Sequence, residues 1–135
     1  MTEYVLDTHA LLWHLYAPKR LGEVARQALA RIDEGEARAW IPAVAIAEAL
    51  MVAEKGRIAG LSLEALLSRF EAFRASDNYR LSALSVDTVL ASHRFSTIPD
   101  IFDRLIVADA VQRRLPLLTR DPVIRASQLV TAVWD

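Results

Sequence analysis

The sequence predicts an α/β fold in which a parallel sheet carries helices on both faces. Two observations predict it. Short apolar runs closed by turn residues alternate with segments of helical periodicity along most of the chain, the order expected of repeated βαβ units. The chain has 135 residues, of which 53% are hydrophobic and 24% charged, enough for one well-formed core and far from a disordered composition. With no internal repeat, low-complexity stretch or linker in it, residues 1–135 are expected to form a single domain.

At the amino end, "EYVL" (3–6) reads as a short buried strand bounded by Asp7. "THALLWHLY" (8–16) reads as a short helix ended by Pro18. In "GEVARQALARIDEG" (22–35) Val24, Ala25, Ala28, Leu29 and Ile32 fall at helical spacing, and Gly35 supplies a stop. "ARAWIP" (37–42) is a brief strand, and "AVAIAEALMVAEKG" (43–56) a helix apolar on nearly every side except at Glu48. "SLEALLSRFEAFRAS" (62–76) places Leu63, Leu66, Leu67, Phe70 and Phe73 on one helical stripe. "YRLSAL" (79–84) is a strand, and "SVDTVLASHRF" (85–95) a helix capped by Ser85. After the loop "STIPD" comes a strong helix, "IFDRLIVADAVQRRL" (101–115). "PLLT" (116–119) is a strand, "RDPVIRAS" a loop or a turn of helix, and "LVTAVW" (129–134) the last strand.

Bulk chemistry narrows the function classes. No cysteine is present, which removes disulfides and thiolate metal sites and makes the reducing cytoplasm the expected home. Met1-Thr2-Glu3 lacks the basic start of a signal peptide, and no apolar run is long enough to span a membrane. The net charge of −1 does not announce a nucleic-acid binder. Of 16 basic residues only Lys19 and Lys55 are lysines; arginine suits phosphate, but a GC-rich genome produces the same bias.

The acids carry the chemical argument, because ligands of open parallel sheets sit beyond the carboxyl ends of the strands. Asp7 follows the first strand and is also placed to cap the next helix. Glu48 lies in an apolar helix, where an unpaired carboxylate costs several kcal/mol; a buried arginine partner or a solvent-facing edge would equally account for it. Asp103 opens a helix, a place that favours acids, with Asp100 as its cap three residues earlier. Asp109, six residues beyond Asp103 and so roughly 240° around the helix, is expected to face solvent. Asp121 repeats the situation of Asp7, an acid just after a strand, although Asp before Pro is also a turn former. Each acid has an ordinary role. Together they occupy the places that converge above a doubly wound sheet. Four carboxylates there repel unless protonated or neutralised, and an oxygen-only donor set suits Mg²⁺ or Mn²⁺.

"VLDTHALLW", "AIAEAL", "IFDRLIVADA" and "LLTRD" resemble the four signature segments of the PIN domain family, and more narrowly those of the VapC-type toxins of bacterial toxin–antitoxin pairs. The resemblance implies a three-layer α/β/α fold on a five-stranded parallel sheet and a metal-dependent endoribonuclease. It carries the metal-binding and catalytic roles onto Asp7, Glu48, Asp103 and Asp121, with Thr8, Asp100 and Thr119 in support. Ile101 departs from the proline the family commonly has there, and Asp109 stands where related sequences often have Gln. Arg104 and Arg120 are expected to contact the phosphates of an RNA substrate, with Arg125 a possible contributor. Arg113 and Arg114 are expected to complement a helix dipole, and His9 to be a half-buried helix residue. A cognate antitoxin and a homodimer are the expected protein partners, with apolar candidates for both at "LLWHLY" and around Met51 and Val52.

Two rivals remain. A catalytically silent PIN-like binding module has no reason to keep four mutually repelling acids. Another metal-dependent phosphohydrolase is the second; one that phosphorylates an aspartate would want an acid where His9 stands, and no glycine-rich phosphate loop is present.

Overall fold

The computed structural model describes residues 1–135 and contains five strands and seven α-helices. In chain order they are β1 (Thr2–Leu6), α1 (Thr8–Tyr16), α2 (Glu23–Asp33), β2 (Ala37–Pro42), α3 (Ala43–Lys55), α4 (Leu63–Arg74), β3 (Tyr79–Ser82), α5 (Val86–Ala91), α6 (Ile101–Arg113), β4 (Leu117–Leu118), α7 (Pro122–Ser127) and β5 (Ala132–Val133). Short 3₁₀ turns occupy Pro18–Arg20 and Ser92–Phe95. The strands form one five-stranded sheet in the order β3-β2-β1-β4-β5, with every pairing parallel. The three-layer α/β architecture expected from the sequence is therefore the one found.

Strand periodicity divides the interior into two cores. Along β1, Leu6 joins one cluster and Val5 the other; along β4, Leu118 and Leu117 do the same. Successive side chains of a strand point to opposite faces, so each strand feeds both layers. The first core gathers Leu11, Leu12 and Trp13 of α1, Leu29 and Ile32 of α2, and Leu66, Phe70 and Phe73 of α4. The second gathers Ile106, Val107 and Ala108 of α6 with Phe95, Ile98 and Ile124. Most apolar residues of "LLWHLY" are thus spent on packing, while Met51 stays 40% exposed.

Several boundaries differ from the sequence reading. Leu67 is 47% exposed, so the apolar stripe of α4 is narrower than its spacing suggested. The segment after Ser85 breaks at Ser92, whose hydroxyl donates to the Val89 carbonyl, and continues as 3₁₀. "RDPVIRAS" is a true helix, because Asp121 caps it and Pro122 occupies its first turn. The last strand shrinks to Ala132–Val133, since the chain bends at Leu129 and Val130 after the left-handed turn at Gln128.

The carboxyl terminus is fastened to the start of α2. The Trp134 carbonyl accepts from the Ala25 amide at 3.0 Å, and the Trp134 ring meets Trp13 edge-on at 5.8 Å. Gly22 permits that approach: a Cβ there would lie 2.3 Å from the Trp134 oxygen.

Strand order places the functional end. Chain connections leave β1 toward β2 on one side and reach β4 on the other, so the order reverses at β1. A crevice opens beyond the carboxyl ends of strands at such a point.

Candidate active site: an acid cleft beyond the strand ends

Asp7 sits where β1 ends. Its Oδ1 accepts from the Ala10 amide at 2.8 Å, capping α1, and the residue is only 7% exposed. Burial pushes its carboxyl up to about 6, with Asp121 adding to the rise; the Thr119 hydroxyl, the Ala10 amide and His9 act in the opposite sense. Cap and buried charge are therefore one and the same residue.

Thr8, buried in the first turn of α1, donates its hydroxyl to Glu48 Oε1. Glu48 stands about one and a half turns into α3, half-buried, and makes no ion pair. The buried-arginine account of this acid does not hold; a hydroxyl orients it instead.

Asp100 caps α6 by accepting from the Asp103 amide at 3.1 Å. Asp103, in the first turn of that helix, is half-buried. Burial first, and then the charges of Asp100, Asp121, Glu48 and Asp7 in that order, together raise its carboxyl to about 7. Every charge acting on Asp103 in this way is another acid. Cancelling that repulsion requires either protons or a cation.

Thr119 closes β4, fully buried, and its Oγ1 accepts from the Asp121 amide at 3.0 Å. Asp121 Oδ1 in turn accepts from the Val123 and Ile124 amides at 2.8 and 3.2 Å, starting α7.

Asp7, Glu48, Asp103 and Asp121 line one cleft of about 540 Å³, together with Thr8, His9, Trp13, Arg120, Pro122 and Arg125. Thr119 and Asp100 do not line it; each accepts the backbone amide of an acid that does, Asp121 and Asp103. Arg104 is not in its wall: the guanidinium Nε donates to the Ile98 carbonyl at 2.7 Å, which ties it to the preceding loop. His9 is exposed on the rim and not half-buried as expected, and its ring lies 5.5 Å from Trp13.

Asp109 departs most from expectation. It is 7% exposed, not solvent-facing, and its Oδ2 accepts from Arg113 Nε at 3.1 Å. Burial raises its carboxyl while Arg113 lowers it. Arg113 also lies 4.0 Å over the Trp40 ring, so it neutralises a buried acid and packs on an aromatic rather than merely closing a helix. The i,i+4 spacing of Asp109 and Arg113 is the sequence signal that points to this pair. Asp109 is not among the residues lining the acid cleft.

Trp13 is the cleft residue that sequence reasoning missed. Arg120 and Arg20 lie 5.7 and 5.6 Å from its ring centroid, so one indole carries two guanidinium groups.

The donor set is made of hard oxygen ligands, which suits Mg²⁺ or Mn²⁺. The side chains are not drawn into a finished shell, however: no three acids or imidazoles converge closely enough to form one by themselves. The cleft therefore supplies the ligand types and the uncompensated charge, with side-chain movement left to complete any coordination.

Comparison with known proteins agrees with this fold. Among solved structures, the chain is similar to VapBC2 from Rickettsia felis bound to a DNA fragment from their promoter, with a TM-score of 0.71 at 15% identity over 99% of this chain and 100% of that one. It is similar to VapC20 from Mycobacterium tuberculosis, described as a sarcin-ricin loop cleaving toxin, with a TM-score of 0.66 at 14% identity over 98% and 99% of the two chains. A toxin–antitoxin complex from Klebsiella pneumoniae matches with a TM-score of 0.63 at 21% identity over 95% of each chain. At these identities the likeness is one of fold. Comparison with curated proteins finds no match. The PIN domain profile matches residues 4–127, spanning all four acids of the cleft, and the chain belongs to the PIN domain family.

Proposed function

We propose that residues 1–135 form a single-domain, metal-dependent endoribonuclease that serves as the toxin of a cytoplasmic toxin–antitoxin pair. The observation that carries this reading is the convergence of Asp7, Glu48, Asp103 and Asp121 on one cleft, where burial and then the neighbouring acids raise Asp103 and no cation lowers it.

Asp7, Glu48 and Asp103 would hold a Mg²⁺ or Mn²⁺ ion, with Asp121 orienting a water or completing a second ion site. When bound, such an ion lowers the pKa of water and offsets charge on a phosphoryl oxygen. The remaining work falls to the chain. Thr8 fixes the Glu48 carboxylate, Thr119 fixes the turn that presents Asp121, and Asp100 starts the helix that presents Asp103. Arg120, in the same wall, would hold the substrate phosphates, with Arg125, which pairs with Asp135, beside it. Asp121 Oδ2, the oxygen not spent on capping α7, is free to accept the proton of an attacking water.

RNA is the substrate this reading requires. The antitoxin and a homodimer complete it: Leu84, Val86, Val89 and Leu90, clustered around α5, are 43–73% exposed and offer apolar surface. No helix is long and apolar enough to cross a membrane. One observation favours a second reading, a PIN domain that binds without cleaving: the acids form no ready coordination shell. Calorimetric titration with Mn²⁺, followed by incubation with structured RNA, separates the two. Saturable Mn²⁺ binding and RNA scission are expected; absence of both in folded protein would leave the binding module.

A further inference from the structure

Two guanidinium groups line the acid cleft, those of Arg120 and Arg125, and they differ in one respect. Arg120 takes part in no ion pair, whereas Arg125 Nη2 lies 3.1 Å from Asp135 Oδ2. Arg125 owes its place to α7: its amide donates to the Asp121 carbonyl at 3.0 Å, one turn beyond an acid of the cleft. Asp135 owes its place to the residues before it.

The tail that carries Asp135 is fixed in advance. Trp134 is buried, its ring packs on Trp13 of the cleft wall, and its carbonyl accepts from the Ala25 amide. One residue earlier, the Val133 carbonyl accepts from the Thr119 amide at 3.3 Å, so the tail runs beside the turn that presents Asp121. An exposed ion pair ordinarily loses much of its Coulomb gain to the entropy of ordering two long side chains. Here the chain leading to one partner is already held, and that partner is the short side chain of Asp. The carboxylate therefore stands beside Arg125 at a high effective concentration. The pair is nonetheless free to open. Its side chains are 41% and 72% exposed, and Arg125 commits one of its five donors to Asp135. A phosphate arriving from solvent offers two oxygens to the same guanidinium. It replaces the carboxylate without uncovering a buried charge.

We infer that Asp135 is a resident counter-ion of Arg125 that a substrate phosphate must displace, so that this acid of the tail lowers the affinity of the cleft for its substrate. This rests on the ribonuclease reading and adds a control on the same site. Arg120 meets a phosphate without exchange, and Arg125 only in exchange for Asp135. Asp135 touches no reacting atom; it is a positioning residue that acts through Arg125.

The test reads binding as well as catalysis. A fluorescently labelled single-stranded ten-nucleotide RNA is titrated with folded protein in Ca²⁺, which fills oxygen sites, using anisotropy at about 50 and 200 mM salt. Asp135→Asn is expected to bind about two- to fivefold more tightly than wild type, the span an exposed ion pair is worth, and the gain should shrink at the higher salt. Arg125→Gln is expected to bind more weakly. Asp135→Asn added to it should gain nothing, because the acid acts through that arginine. Glu64→Gln removes an exposed acid of α4 that is in no ion pair, and it should bind like wild type. In Mn²⁺, Asp135→Asn should lower KM for cleavage and leave kcat unchanged. An Asp135→Asn protein that binds no more tightly would overturn the inference. So would a gain that survives in the Arg125→Gln background, or an equal gain from Glu64→Gln. A fall in kcat would overturn it too, by making the tail part of the scaffold. Folded wild type that binds no RNA would sink this inference and the ribonuclease reading together. The coupled gain in binding without cleavage in Mn²⁺ supports the counter-ion and sinks only the ribonuclease reading.

Discussion

Replacing Asp7 by Asn should stabilise the metal-free protein while removing its activity. Asp7 is 7% exposed, and burial is the largest cause of its rise from 3.8 to about 6. A rise of that size corresponds to about 3 kcal/mol of differential stability between its protonation states. Its direction sets the sign. A carboxyl raised in the folded state contributes its stability below the unfolded value of 3.8, and that stability is lost as pH climbs through about 6. Asn has no such charge, and its side-chain oxygen can still accept from the Ala10 amide as the cap of α1. In EDTA the Asp7→Asn variant should therefore match wild type near pH 4 and exceed it by up to about 3 kcal/mol at pH 7.5. Urea denaturation followed by circular dichroism at both pH values measures this directly. Mn²⁺ should reverse the order: wild type gains about 4.1 kcal/mol at a thousandfold excess over its dissociation constant, and the variant gains little. A variant less stable than wild type in EDTA at pH 7.5, or a difference that does not grow with pH, would refute the reasoning.

Two further substitutions probe the frame around the site. Arg113→Met strips the partner from buried Asp109 and the cation from Trp40, and should destabilise the fold by about 1–3 kcal/mol, less than a fully buried pair would because Arg113 is part-exposed; Asp109→Leu added to it should restore most of the loss, and a double variant no more stable than the single would contradict this. Gly22→Ala drives a methyl group toward the Trp134 carbonyl, 2.3 Å from an ideal Cβ, and should cost about 1–3 kcal/mol in thermal unfolding; a melting temperature equal to wild type would show that the carboxyl terminus does not depend on this approach.

Much of the fold and part of the site are legible in the sequence, for reasons particular residues make plain. β1 and α1 are readable because Asp7 both ends an apolar run and caps the helix after it. β2 and α3 are readable because Pro42 separates a strand from a helix. β5 is not, because the largely apolar residues 129–134 read as one strand while bends at Leu129 and Val130 leave only Ala132 and Val133 as strand. The convergence of the acids could be anticipated from strand order, since Asp7 and Asp121 follow strands, Glu48 lies in the helix after another, and Asp103 opens a helix. The role of Trp13 could not: its two arginines come from positions 20 and 120, a pairing only tertiary structure creates. Asp109 escapes the sequence reading because helical angle measured from Asp103 says where it does not point, not what it meets; Arg113, four residues on, decides that.

The central claim is that the four converging acids enable cation-dependent RNA hydrolysis. The most direct measurement incubates total RNA with purified wild type and with Asp103→Asn, each with Mn²⁺, with Mg²⁺ and with EDTA, and maps the new ends. Discrete internal cuts are predicted for wild type with either ion, with none in EDTA and none from the folded variant. Cuts that persist in EDTA, or equal cutting by folded Asp103→Asn, would contradict the account.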